Sequence, residues 1–145
     1  MKVKYMSTFF GSRDRFAVSQ QAKKTYDLIV TKNKMLKSHA QLFAYAATWG
    51  ILARSRKPFA KREDLAIMSG LKTKEYDYES LLGVVMFQLH PEASTDDRLQ
   101  ILQEYAEYGI EKIREHFDKY RNLNFQQLLD EISEDVKVDE SRGQV

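Results

Sequence analysis

Ser94-Thr95-Asp96-Asp97-Arg98-Leu99-Gln100-Ile101-Leu102 opens the stretch whose reading decides the fold. Leu99, Leu102, Ala106, Gly109 or Ile110, Ile113 and Phe117 continue it at intervals of three and four, to about Tyr120. That spacing follows one face of an α-helix and predicts the longest helix of the chain. Ser94 or Thr95 can accept from a free first-turn amide. Asp96 and Asp97 sit where the helix dipole favours negative charge. The two aspartates are therefore read as helix-start residues, not as catalytic carboxylates or metal ligands.

Upstream, Asp77 to Leu89 predicts a helix with Leu81, Leu82, Val85 and Leu89 as its apolar side. Gly83, Val84, Met86 and Phe87 make it apolar nearly all round, which is the pattern of a central buried element. His90-Pro91 stops it, because the residue before proline is pushed out of helical angles. Ser38 and Gln41 match a capping box. The helix that follows carries His39, Leu42, Phe43, Ala46, Ala47 and Gly50 on one stripe, with Tyr45 and Trp49 beside it. Its small residues would let a neighbour approach closely. A first helix is expected from Ser19 or Gln20 to about Lys32, burying Ala22, Tyr26, Ile29 and Val30. Before it, 14–19 alternates around Phe16 and Val18 as a short strand does. Between 53 and 74 the periodicity breaks into a basic connection. It leaves room for a short hairpin or extended segment, and a helical turn at 64–68 closed by Gly70. A last helix is expected from Asn124, with Gln127 as its box partner, burying Phe125, Leu128, Leu129 and Ile132.

These signals predict a mainly α protein: a compact bundle of about five helices with a short N-terminal strand or hairpin. One helical domain is expected over 1–134 and a loose tail over 135–145. The length of 145 residues suits one core, and 43% hydrophobic with 30% charged residues argues against disorder. There are no cysteines, which excludes a disulfide framework, a thiolate nucleophile and a Cys-based zinc site. Met1-Lys2-Val3-Lys4-Tyr5 has no apolar run behind it, and no stretch approaches the ~20 apolar residues of a membrane span. The cytoplasm is the expected location and no membrane partner is expected.

The net charge of +2 conceals a polarity. Residues 1–74 hold sixteen Lys and Arg against four Asp and Glu, a balance of +12; residues 75–145 hold seven against seventeen, −10. Such a division is a statement about partners. The basic half can bind an anion such as nucleic acid, the acidic half can dock on a basic protein, or the halves can attract each other. Arg54, Arg56, Lys57, Lys61 and Arg62 place five cations in nine residues around Pro58 and Phe59, a pattern that can track phosphates. Glu104, Glu107, Glu111 and Glu115 are expected along the outer side of the long helix, as a solvated or partner-binding face.

No P-loop, dinucleotide fingerprint, nucleophile elbow or HExxH helix is present. His39, His90 and His116 lack ligand-type neighbours at helical spacing. The expectation is a non-catalytic interaction protein with no cofactor and no metal. An enzyme would need a pocket gathering His39 or His90 with several carboxylates. A strand followed by two helices also has the order of a ribbon-helix-helix repressor, in which Arg13, Arg15 and Ala17 or Ser19 of a dimer's paired strands would enter the major groove.

Lys37-Ser38-His39-Ala40-Gln41-Leu42-Phe43-Ala44-Tyr45-Ala46-Ala47-Thr48-Trp49-Gly50, followed by the basic 54–62 loop, resembles the central segment of the DNA phosphorothioation-associated protein 4 family, small helical proteins of bacterial defence loci. The stretch from Arg98 to Ile113, with Glu104-Tyr105-Ala106 and then Gly109, is similar to the family's later segment. The resemblance implies an accessory subunit of an anti-phage or DNA-restriction complex. Together with the charge polarity it points to a larger protein subunit as partner, and it leaves open whether DNA is contacted through the basic face and whether the chain forms a homo-oligomer. It implies no catalytic residues.

Overall fold

The computed structural model describes residues 9–11, 13 and 15–143. In chain order the elements are β1 (Arg15–Ser19), α1 (Gln20–Tyr26) with a π-helical continuation (Asp27–Lys32), α2 (His39–Leu52), β2 (Arg62–Ile67), a 3₁₀ turn (Met68–Leu71), α3 (Tyr78–Leu89), α4 (Thr95–Tyr120) and α5 (Phe125–Gly143). Met1 to Tyr5 and Asp14, which entered the sequence reading, lie outside the described residues.

α4 is the axis of the fold. The Ser94 hydroxyl accepts from the Asp97 amide at 3.1 Å, and Asp96 and Asp97 occupy the first turn. The predicted stripe of Leu99, Leu102, Ala106, Ile110, Ile113 and Phe117 is buried along its length. The helix ends where Arg121 enters the left-handed region at φ 57° and its amide returns to the Phe117 carbonyl.

α2 crosses α4 at backbone contact, and four residues dictate it. A Cβ added to Gly109 would sit 1.8 Å from the Ala46 carbonyl oxygen, and one added to Gly50 would sit 2.1 Å from that of Tyr105. Ala46 and Gly50 are one turn apart on α2; Tyr105 and Gly109 are one turn apart on α4. The two helices therefore run antiparallel, each presenting its backbone to the other's glycine. The expected close approach at positions 46 and 50 is met by a matching gap on α4. Around this crossing Phe16 and Phe43 pack with ring centroids 4.2 Å apart, and Trp49, Leu42 and Tyr26 are buried. The capping box forms with one change: Ser38 accepts from the Gln41 amide at 3.1 Å, while the Gln41 side chain accepts from Lys37 N–H, not from Ser38.

β1 pairs antiparallel with β2, from Arg15 opposite Ile67 to Ser19 opposite Arg62, with a register shift at Phe16/Ala17 that leaves Leu65 as the extra residue of β2. The helical turn expected at 64–68 is therefore a strand, and the single turn of helix is displaced to Met68–Leu71. The cause is tertiary. β1 offers a row of amides and carbonyls, and 62–67 is the segment that reaches them.

α3 corrects a second expectation. It is not the central element. It buries Glu79, Leu82, Gly83 and Met86, while Leu81 is 65% exposed, Val84 59%, Phe87 55%, Leu89 44% and Val85 38%. Gly83 is held by contact, since a Cβ there would enter the Phe9 ring. On α5, Leu128 is buried as expected, but Leu129 is 59% exposed. The helix continues to Gly143 through the stretch read as tail. Within it, the Asp135 carboxylate accepts from Trp49 Nε1 at 2.6 Å and from the Tyr108 hydroxyl at 3.3 Å.

Candidate partner and nucleic-acid interfaces

The edge of β1 that faces away from β2 meets α4. Ala17 N–H donates to Gln103 Oε1 at 2.7 Å, and Ser19 N–H donates to Glu107 Oε2 at 3.3 Å. The Ser19 hydroxyl also donates to Glu107, while its oxygen accepts from the Ala22 amide and caps α1. The match is geometric. Two residues of strand rise ~6.7 Å and four residues of helix rise ~6 Å. Alternate strand amides therefore find side chains one helical turn apart. Gln103 and Glu107 are buried at 0% and 4% exposure. Glu107 is thus not on the outer side of α4, as the sequence suggested, but is a buried acceptor. Burial pushes its carboxyl above the usual carboxylate range, against the opposing pull of the two Ser19 hydrogen bonds and Lys57.

A ribbon-helix-helix dimer needs this strand free to pair with a second copy and its outward side chains free to enter a groove. Here β1 is paired on one edge within the chain and sealed on the other by α4. Ala17 and Ser19 are buried, Arg13 is half-buried, and Arg15 is exposed at the strand's first position. That architecture is not the one this chain builds.

The 54–62 loop folds toward α4. Arg56 lies 3.6 Å from Glu104 and its guanidinium sits over the Tyr105 ring. Lys57 pairs with Glu111, and its amide donates to the Glu104 carbonyl at 3.0 Å. Arg62 bonds Gln100 and lies over Phe59. Lys61 is exposed, and its carbonyl accepts from the Gln20 amide where α1 begins. Arg54 is exposed at a left-handed φ of 51°. Glu115 is exposed near Lys112, at 3.9 Å. The structure therefore brings Arg56 and Lys57 against Glu104 and Glu111, and leaves Arg13, Arg15, Lys61 and Glu115 outside that group.

The histidines are held singly. His39 bonds Asp27 at 3.0 Å and lies near the Tyr26 ring. His90 bonds the Tyr105 hydroxyl at 3.0 Å; burial, with Arg56 and Arg98 nearby, lowers its pKa. His116 is buried between Glu131 at 3.0 Å and the Asn124 amide at 3.2 Å. Since Nε2 accepts an amide proton, Nδ1 carries the ring hydrogen and donates to Glu131. The enzyme reading needed His39 or His90 among several carboxylates, and the structure does not gather them. Among the described residues no three His, Asp or Glu side chains are placed to hold a metal ion.

The sequence reading missed the surface that stands out. The outward residues of α3 repeat at 81, 84, 85 and 89, one apolar face of a helix turned to solvent, while 82, 83 and 86 repeat on the face turned inward. One signal was available: from Ser80 to Leu89 there is no charged residue. A helix with only one neighbour would not need that. Between α2 and α5, Leu52 is 49% exposed and lines an apolar groove of about 290 Å³ with Leu129 and Ile132.

Fold and surface together define a mainly helical protein in which two of the five loop cations, Arg56 and Lys57, pair with its own acidic helix, and in which α3 carries five of the exposed large apolar side chains. The chain belongs to the family of DNA sulphur modification system-associated protein 4, whose family model matches residues 15–144. The family membership implied by the sequence resemblance is thereby established. No curated protein and no solved structure gives a significant match. No helix among the described residues is long and apolar enough to cross a membrane.

Proposed function

We propose that this chain is a non-catalytic accessory subunit of a DNA sulphur modification system, and that it docks on a larger protein of that system through the outward face of α3. The family name supports the accessory role. The observation that carries the docking surface is the exposure of Leu81, Val84, Val85, Phe87 and Leu89 on one short helix. Large contiguous apolar surface is costly to leave in water and marks protein contacts. Two-faced α3 has one face in its own core and one for a partner.

This places docking away from the α4 glutamates. Glu107 is buried, and Glu104 and Glu111 are occupied by Arg56 and Lys57. The same pairs bear on DNA. A phosphate approaching the 54–62 loop meets two cations, Arg56 and Lys57, already partnered by carboxylates, and Lys61 and Arg62 with no carboxylate partner among the described residues.

The test is co-expression with the other proteins of the same modification locus, followed by affinity capture of this chain. We expect one of those proteins to be retained in stoichiometric amount. The double variant Leu81→Glu, Val84→Glu should lose it by more than tenfold, with circular dichroism unchanged. Retention equal to wild type by that variant, or no retention of any of those proteins by wild type, refutes the docking surface.

A further inference from the structure

We propose that a lysine corner, formed by the connection at 32–37 and the turn at 72–77, binds the phosphate backbone of double-stranded DNA. The corner comprises Lys32, the last residue of the π-helical segment, Lys34 and Lys37 beyond it, and Lys72 and Lys74 before α3. The two segments are tied by Lys37 Nζ to Glu75 at 3.2 Å. The turn is closed by Thr73 N–H donating to the Tyr76 carbonyl at 2.8 Å and by the bridge between Lys72 and Asp77. The connection is fixed as well. The Asn33 and Met35 amides donate to the Leu28 and Ile29 carbonyls, and Lys34 between them turns the chain at φ 52°.

The charge count favours an anion. These two segments contain five lysines and two acids, a balance of +3. Glu75 is taken by Lys37, and Asp77 lies 3.8 Å from Lys72. Among the described residues Lys32, Lys34 and Lys74 are exposed with no acidic partner. In the 54–62 loop Arg56 and Lys57 likewise face Glu104 and Glu111. The surplus of the basic front half therefore surfaces at this corner as well as at the loop whose sequence is most densely basic. Exposed ammonium groups make point contacts with phosphates and read no bases, so the binding is sequence-independent and salt-sensitive.

The proposal is independent of the α3 docking surface, and its test uses the purified chain alone with a fluorescently labelled DNA duplex. Three released lysine–phosphate contacts predict a slope of log affinity against log salt of about −2.7, which is about a 40-fold loss between 50 and 200 mM salt. Replacing Lys32, Lys34 and Lys74 together by Gln should abolish most of that slope and lower affinity at 50 mM salt by at least tenfold. Circular dichroism and the single variants Lys32→Gln and Lys74→Gln, each expected to remove about a third of the slope, separate this from misfolding. The paired variant Arg56→Gln, Lys57→Gln should bind as wild type or more weakly by less than threefold. No salt-dependent binding by wild type overturns the proposal. So does a triple variant that binds as wild type, or a larger loss from the loop variant than from the corner.

Discussion

Single residues set this fold in two ways, by absence of a side chain and by burial of a polar one. Gly50 and Gly109 belong to the first kind, since a methyl group at either would have to displace a helix backbone. Gly109→Ala should cost at least about 2 kcal/mol by calorimetry, the upper range of overpacking, because the obstacle is backbone and not a flexible side chain. A cost under about 0.5 kcal/mol would mean that the helices sit farther apart than described. Glu107 belongs to the second kind. Its folded pKa is raised, so the native state keeps its proton where the unfolded chain has lost it. Its contribution is fully present below the unfolded pKa and is lost as pH rises through the folded one. The stability of wild type relative to Glu107→Gln should therefore fall as pH rises from the ordinary carboxylate range toward neutrality, measured by urea unfolding across that window. A relative gain with rising pH would contradict the assignment. Tyr26 is a third case. Its ring is fully buried, and its hydroxyl finds no hydrogen-bond partner among the described residues. Its removal in Tyr26→Phe should raise the melting temperature or leave it unchanged, because an unsatisfied buried hydroxyl costs about 1–3 kcal/mol. A loss of more than about 1 kcal/mol would show a partner for it.

At the scale of elements, what the sequence could say depended on where each element's partner lies. α2 and α4 were legible because each buries one stripe against the other, and a one-sided stripe has the period of the helix. β2 was not legible. Its residues Arg62, Glu63 and Asp64 carry no strand pattern of their own, and the edge they pair with lies at the far end of the sequence. Gln103 and Glu107 escaped for the same reason: on a helix they read as polar positions beside the stripe, and only β1's edge turns them inward. α3 misled in the opposite direction. An all-round apolar helix reads as buried on every side, yet the pattern fits equally a helix that lends one face to another molecule. The difference is measurable. Met86→Ala should destabilise by about 2–5 kcal/mol as a buried truncation, while Leu81→Ser should stay within about 0.5 kcal/mol. α5 is tied to the core through Asp135, and Trp49 is the only tryptophan. Asp135→Ala should shift Trp49 emission and cost about 1–3 kcal/mol, the penalty of a buried donor left unpaired. An unchanged spectrum would mean that α5 does not hold the indole.

For the whole molecule, the charge polarity evident in the sequence resolves into two regimes. Along α4 part of it is spent internally: Arg56 and Lys57 pair with Glu104 and Glu111, and Glu107 holds the strand edge. At the 32–37 and 72–77 corner it is left over. The apolar face of α3 begins beside that corner, because Tyr78 opens α3 directly after the lysine turn and stacks on Tyr76 with ring centroids 4.2 Å apart. A protein partner on α3 and a phosphate backbone on the lysines would therefore meet at one end of this chain. That arrangement suits a subunit that bridges a modification protein to its DNA. The most direct measurement is hydrogen–deuterium exchange on the chain, alone and in complex with the co-expressed proteins of its locus. The account predicts slowed exchange over Tyr78–Leu89 in the complex. Protection on the solvent side of α4 with α3 unchanged would contradict it.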